Sequence, residues 1–250
     1  MLSGSSAPFL NLGFIGLGLY LFWQDRTAMR QMRSSQEERW LGSFLILAGI
    51  LLFPVMNAWL SLQAFIMMLI VLGICLGSWG RNFLRCYFLV ILLLGVGIYP
   101  DLMFLAYLMQ NMLMPEQWLE NAMAWLGSLG LQALGQPATA SQDLLQLPGG
   151  AVQIQPGCNG FDMAFILGAT GFLIGTFFRR RWLETLTLIV MGVGLAFALN
   201  VPRIMLLAIS SVYWGKASFE FWHGQIGGQI FAMILFTLYY YMAMAMVDQT

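Results

Sequence analysis

The chain has 250 residues, 60% of them hydrophobic and only 9% charged, with equal acidic and basic counts. A soluble domain carries about 25% charged residues, so a soluble fold is excluded. A membrane β-barrel is excluded as well, because its strands alternate over about ten residues and the apolar runs here do not. What remains is a polytopic helical protein whose main partner is the lipid bilayer.

Met1 to Ser6 carry no basic cluster, so the run 8–23 reads as a first transmembrane helix rather than a cleaved signal peptide. Further apolar runs predict helices over 41–60, 62–79 and 83–99, followed by a less regular stretch at 101–114. The segment 117–134 combines Trp118 and Trp125 with Glu120 and Asn121, and fits a surface-lying amphipathic helix or a further span. Asp143 to Leu147 and Ala151 to Gln155, separated by Pro148-Gly149-Gly150, predict a short outer-face β-hairpin. An unstructured linker is the alternative. Three more helices are expected over 160–178, 183–211 and 225–247. The expected fold is all-α, a polytopic transmembrane helix bundle of about seven to nine helices. It forms a single integral membrane domain over 1–250, with N-terminal helices (1–114), an outer-face segment (115–157) and a functional part (158–250).

Of the 11 basic residues, all but Arg203 and Lys216 are loop arginines. They are Arg26, Arg30, Arg33 and Arg39, then Arg81 and Arg85, then Arg179, Arg180 and Arg181. If 83–114 makes one net crossing, all of these fall on one side, which the positive-inside rule makes cytoplasmic. A tight hairpin at Tyr99-Pro100-Asp101 would reverse the last triplet unless 117–134 also crosses. Either solution gives the last three helices the same orientation.

On that topology Cys158, Arg203 and His223 lie at one depth, near the outer face of the cell (inner) membrane. Cys158, in Pro156-Gly157-Cys158-Asn159-Gly160, stands just before helix 160–178. The positive end of that helix favours a thiolate; Asn159 or Gly157 is the candidate cap. Asp162, one turn on, either orients a base or complements the helix N-terminus. Arg203 lies about 30 Å along helix 183–211 at ~1.5 Å per residue, with Asn200 on its face and Pro202 freeing the carbonyl of Ala198. A cation at that depth costs about 2.5–3.5 kcal/mol unless it snorkels to the headgroups, so a snorkelling arginine is the plain alternative to a functional one. His223, the single histidine, opens the last helix beside Gly224, Gly227 and Gly228, which permit close packing on a neighbour. Cys75 and Cys86 read as small buried hydrophobes, and no metal, cofactor or nucleic acid is expected.

A thiol, an imidazole and a guanidinium together suit acyl transfer: thiolate attack, proton shuttling by histidine, and stabilisation of negative charge. A membrane transporter with Arg203 lining its path is a competing reading, as is a non-catalytic assembly protein in which the three residues are merely interfacial. The bland inner halves of the last three helices speak against the transporter.

The stretch Gly149 to Asp162, the Asn200-x-x-Arg203 spacing and His223 at the last helix resemble the exosortase/archaeosortase family of membrane-embedded cysteine transpeptidases. The resemblance covers roughly 125–245. Where that family usually has Cys-Ser-Gly, this chain has Cys158-Asn159-Gly160, which resembles the cyanobacterial branch. The resemblance implies catalytic roles for Cys158, Arg203 and His223 and a thioester acyl-enzyme. It also implies exported protein substrates bearing a C-terminal sorting signal, such as a Pro-Glu-Pro motif followed by a transmembrane helix and a basic tail.

Overall fold

A computed structural model describes residues 7–29, 31–54, 60–99 and 101–248. Arg30, the end of the expected helix 41–60, and Pro100 with the hairpin considered there lie outside the described residues. The chain folds as two compact units, Ala7–Leu102 and the residues from Met103 onward. The described residues form eleven α-helices and three short strands, an all-α transmembrane fold carrying one small sheet.

The first unit holds α1 (Ala7–Gln24), α2 (Arg26–Met29), α3 (Gln36–Leu52), α4 (Leu60–Cys86) and α5 (Phe88–Ile98). Helix α3 starts where Ser35 and Glu38 close a capping box. It crosses α4 closely: a Cβ on Gly42 would lie 2.6 Å from the carbonyl oxygen of Gly73. The turn expected between 79 and 83 is instead a bend inside α4 at Gly80 (φ 78°, ψ −177°), and the next helix begins only at Phe88. Glu38 braces the bend by accepting the Arg81 backbone N–H at 2.9 Å.

The second unit begins at Met103, one residue into α6 (Leu102–Leu113), and continues with α7 (Trp118–Ala133). Next comes a sheet of β1 (Thr139–Ser141), β2 (Leu144–Leu147) and β3 (Gly150–Gln153), antiparallel in the order β1-β2-β3. The expected hairpin is therefore three strands. β1 is short and polar, and it joins through a two-residue turn in which Gln142 has φ 55°, a signal too slight for alternation to register. The inward residues Leu145 and Leu147 pack with Ile154, Met123, Leu131 and Ile204 into one core beneath the sheet.

Helix α8 (Phe161–Phe177) and α9 (Trp182–Ile209) form an antiparallel pair. Their backbones approach where a Cβ on Gly171 would sit 2.9 Å from the main chain of Leu188 and Ile189. A π-helical turn (Ser210–Trp214) extends α9, and Gly215 (φ 81°) releases the chain into α10 (Lys216–His223). That stretch reads as a loop in the sequence because its eight residues are too few for a clear period. In α11 (Gln225–Asp248), Gly227 lies against the backbone of Trp222 and serves the α10–α11 turn, whereas the buried Gly228 lines a crevice with Leu199 and Asn200 of α9. The Tyr239 hydroxyl of α11 donates to the Leu188 carbonyl at 3.0 Å, holding α11 on α9. Among the described residues, Leu62–Cys86, Trp182–Trp214 and Gln225–Asp248 are long and apolar enough to span a membrane, and α8 is a shorter apolar helix.

Candidate active site

Pro156 turns the chain out of the sheet into a single 3-10 turn, Pro156–Cys158, closed by the Cys158 N–H donating to the Gln155 carbonyl at 2.8 Å. Gly160 (φ 88°) then lets the chain enter α8 at once. Asn159 is fully buried between these pieces. Its Oδ1 accepts the Phe161 N–H at 2.9 Å, and its Nδ2 donates to Glu120 Oε1 at 2.7 Å. Gln110 Nε2 donates to the same Glu120 oxygen at 3.3 Å. Glu120 is thus no surface residue of an interfacial helix; at 4% exposure it is a buried acceptor under the cysteine loop. Trp118 and Trp125, by contrast, are exposed.

From the opposite side Asn200 of α9 donates its Nδ2 to the Cys158 carbonyl at 3.0 Å. A Cβ at position 160 would come within 2.9 Å of the Asn200 side chain, so this contact requires glycine twice over, for space and for its positive φ. The backbone of Cys158 is therefore gripped by α7 through Asn159 and by α9 through Asn200.

The held thiol points at α10. Cys158 Sγ lies 3.4 Å from His223 Nε2, while the Phe219 ring stacks on the imidazole at 5.1 Å with an interplanar angle of 15°. Stacking, not a carboxylate, orients the ring: among the described residues Asp162 makes no hydrogen bond to His223. The pair opens onto a cavity of about 330 Å³, walled by 151–155 on one side and Phe219 on the other, with Ile204, Leu207 and Ser211 beneath.

Burial pushes the Cys158 thiol above its ordinary value of 9.0; Arg203 pulls it down and Asp162 pushes it further up, both more weakly. Burial and then the charge of Arg203 lower His223 below its ordinary 6.5. The helix N-terminus expected to favour a thiolate is outweighed by desolvation. Both shifts favour the neutral thiol and the neutral imidazole, an arrangement suited to proton transfer during attack rather than beforehand.

Arg203 is 6% exposed, and among the described residues its Nε and Nη2 meet no acceptor. It lines a separate crevice of about 20 Å³ with Asn200, Leu199 and Gly228, and acts on the thiol and imidazole through its charge. A buried guanidinium with orphaned donors is a standing demand for an anion. Cys75 is buried and Cys86 exposed in α4, neither at the site. Among the described residues no cluster of three or more His, Cys, Asp or Glu side chains is arranged to hold a metal.

The sequence reading missed Glu120 as a buried partner, Gln110, Phe219 and the β3 wall. The Phe219–His223 spacing of four, one helical turn, was the available signal, but it needed a helix where a loop was expected.

Compared with known proteins, residues 9–240 match a family model described as Transmembrane exosortase. No curated protein and no solved structure matches.

Proposed function

This chain belongs to the transmembrane exosortase family, and we propose that within it Cys158 and His223 form the nucleophile–base pair of a membrane-embedded cysteine protease or transpeptidase. The observation that carries this reading is the 3.4 Å approach of Sγ to Nε2 at the mouth of a cleft. His223 Nε2 takes the Cys158 proton as sulfur attacks the scissile peptide carbonyl. The resulting imidazolium returns that proton to the leaving amine, so the C–N bond breaks and a Cys158 thioester remains. Water or an acceptor amine then attacks the thioester, its proton passing through His223, and the thiol is restored. Arg203 stabilises negative charge in this cycle, on the oxyanion or on a substrate carboxylate. Asn200 positions the Cys158 backbone. The substrates are exported proteins with a C-terminal sorting signal, met at the outer face of the inner membrane while their last helix is still in the bilayer.

The test is an exported reporter ending in a Pro-Glu-Pro motif, a transmembrane helix and a basic tail, produced together with this chain. Release of the reporter should vanish with Cys158→Ala and with His223→Ala. Undiminished release by Cys158→Ala would refute the reading.

A further inference from the structure

One wall of the cleft is a strand edge to which nothing pairs among the described residues. The register sets Leu144 opposite Gln153 and Leu145 opposite Val152, and the Ile154 N–H donates to the Asp143 carbonyl at 2.8 Å. Bonded and non-bonded pairs alternate along an antiparallel ladder. Val152 and Gly150 are therefore the bonded partners of Leu145 and Leu147, and Ala151 and Gln153 turn their N–H and C=O groups away from β2. As β3 ends the strand order, those groups face the free edge. Both residues are exposed, and both line the cavity that contains Cys158 and His223.

We propose that the polypeptide segment to be cut docks as an added strand on the free edge of β3. Main-chain hydrogen bonds to Ala151 and Gln153 bring its scissile carbonyl to Cys158 Sγ. The inference rests on the reading of Cys158 as a nucleophile toward peptides and says how the peptide is held. Three features favour an extended peptide as the occupant. The edge runs directly into the turn that carries the nucleophile, from Gln153 to Cys158. The facing wall is the base itself with its stacked Phe219. The floor, Ile204 and Leu207, is apolar and gives side chains of the added strand a place to lie. Main-chain pairing supplies affinity largely independent of sequence, and the pockets for alternate side chains supply selectivity. An edge of four residues is too short to be a strong template for uncontrolled pairing but long enough to fix register beside a reactive atom.

The experiment uses the full chain in lipid nanodiscs with Cys75→Ala and Cys86→Ala, and follows alkylation of Cys158. The probes are acetyl-tripeptidyl chloromethyl ketones varied at each position, the fastest of these N-methylated at an inner amide, and iodoacetamide. N-methylation should slow the ketone about tenfold or more, the effect of losing main-chain hydrogen bonds. Ala151→Pro, which deletes one edge N–H and no ladder bond, should slow the unmethylated ketone similarly and leave the iodoacetamide rate unchanged. Equal rates for the methylated and unmethylated ketones, with iodoacetamide reactivity still dependent on His223, would overturn strand docking and leave the proposed function standing. An interchain disulfide formed by Gln153→Cys would give the edge to a second copy and overturn it too. Iodoacetamide reactivity indifferent to His223→Ala would instead remove the functional reading, and strand docking with it.

Discussion

At the scale of single residues, the candidate site combines a thiol and an imidazole, both shifted toward their neutral forms, with a buried guanidinium whose Nε and Nη2 meet no acceptor among the described residues. Because burial lowers His223 and raises Cys158, kcat/KM for cleavage should rise along an acid limb below pH 6.5 and stay level to above pH 9. An acid limb centred well above 6.5 would instead indicate a stabilised imidazolium. Arg203 separates function from structure. With Nε and Nη2 unpaired, Arg203→Leu breaks no hydrogen bond at those atoms and removes a buried charge, so thermal stability should hold or rise. Cleavage should nevertheless fall about 100-fold or more, the usual effect of deleting a fixed charge stabiliser. A stability loss matching the activity loss would make Arg203 structural. Glu120→Leu strands the buried Nδ2 of Asn159 and should cost about 1–3 kcal/mol, read as a lower unfolding midpoint. Glu120→Gln, which keeps an acceptor, should cost less. Cys158, Arg203 and His223 stand out in the sequence as candidates because a thiol, a cation and an imidazole are conspicuous in apolar surroundings; the contact between Cys158 and His223, and the separate crevice of Arg203, appear only in the fold. Glu120 was not: a carboxylate among tryptophans reads as interfacial, and only a fully buried amide across the unit turns it inward.

At the scale of elements, glycines set where the side chains can stand. Gly160→Ala would need φ 88° and would drive a methyl into Asn200. It should abolish the Asn200–Cys158 contact and slow Cys158 alkylation about tenfold, on the order of one hydrogen bond, while leaving helix content unchanged; an alkylation rate equal to wild type would show that the grip on the loop is dispensable. The long helices were legible because apolar runs declare themselves, and the turn at Pro148-Gly149 because its residues are nearly obligatory there. Three features stayed hidden for a common reason, that each is settled by partners remote in sequence. β1 is a strand only because β2 lies beside it. The polar residues Arg81 and Asn82 beside Gly80 read as a turn between helices, and what keeps the chain helical through the bend is Glu38, more than forty residues upstream. Helix α10 holds its shape between a positive-φ glycine and the α11 turn, with no period of its own to read.

At the scale of the molecule, the second unit has two distinct ends. Cys158, His223 and Lys216 lie where α8 begins and α9 finishes, whereas Arg179, Arg180 and Arg181 lie at the α8–α9 turn. Arg180 Nη2 donates to the Val247 carbonyl there, so α11 runs from the histidine end to the arginine end. If the arginine end is cytoplasmic, as the positive-inside rule expects, the pair faces outward, which is the side the proposed function requires. In the proposed mechanism His223 acts on Cys158 as a base from that outer position. The most direct measurement is the pH dependence of Cys158 labelling by a membrane-impermeant alkylating reagent in intact cells, with Cys75→Ala and Cys86→Ala, and with or without His223→Ala. Labelling from outside should be fast at neutral pH and fall only below 6.5 as the imidazole protonates. In His223→Ala it should collapse to a slow rate that recovers only above pH 9. Identical profiles with and without the imidazole, or labelling confined to opened cells, would contradict the proposed mechanism.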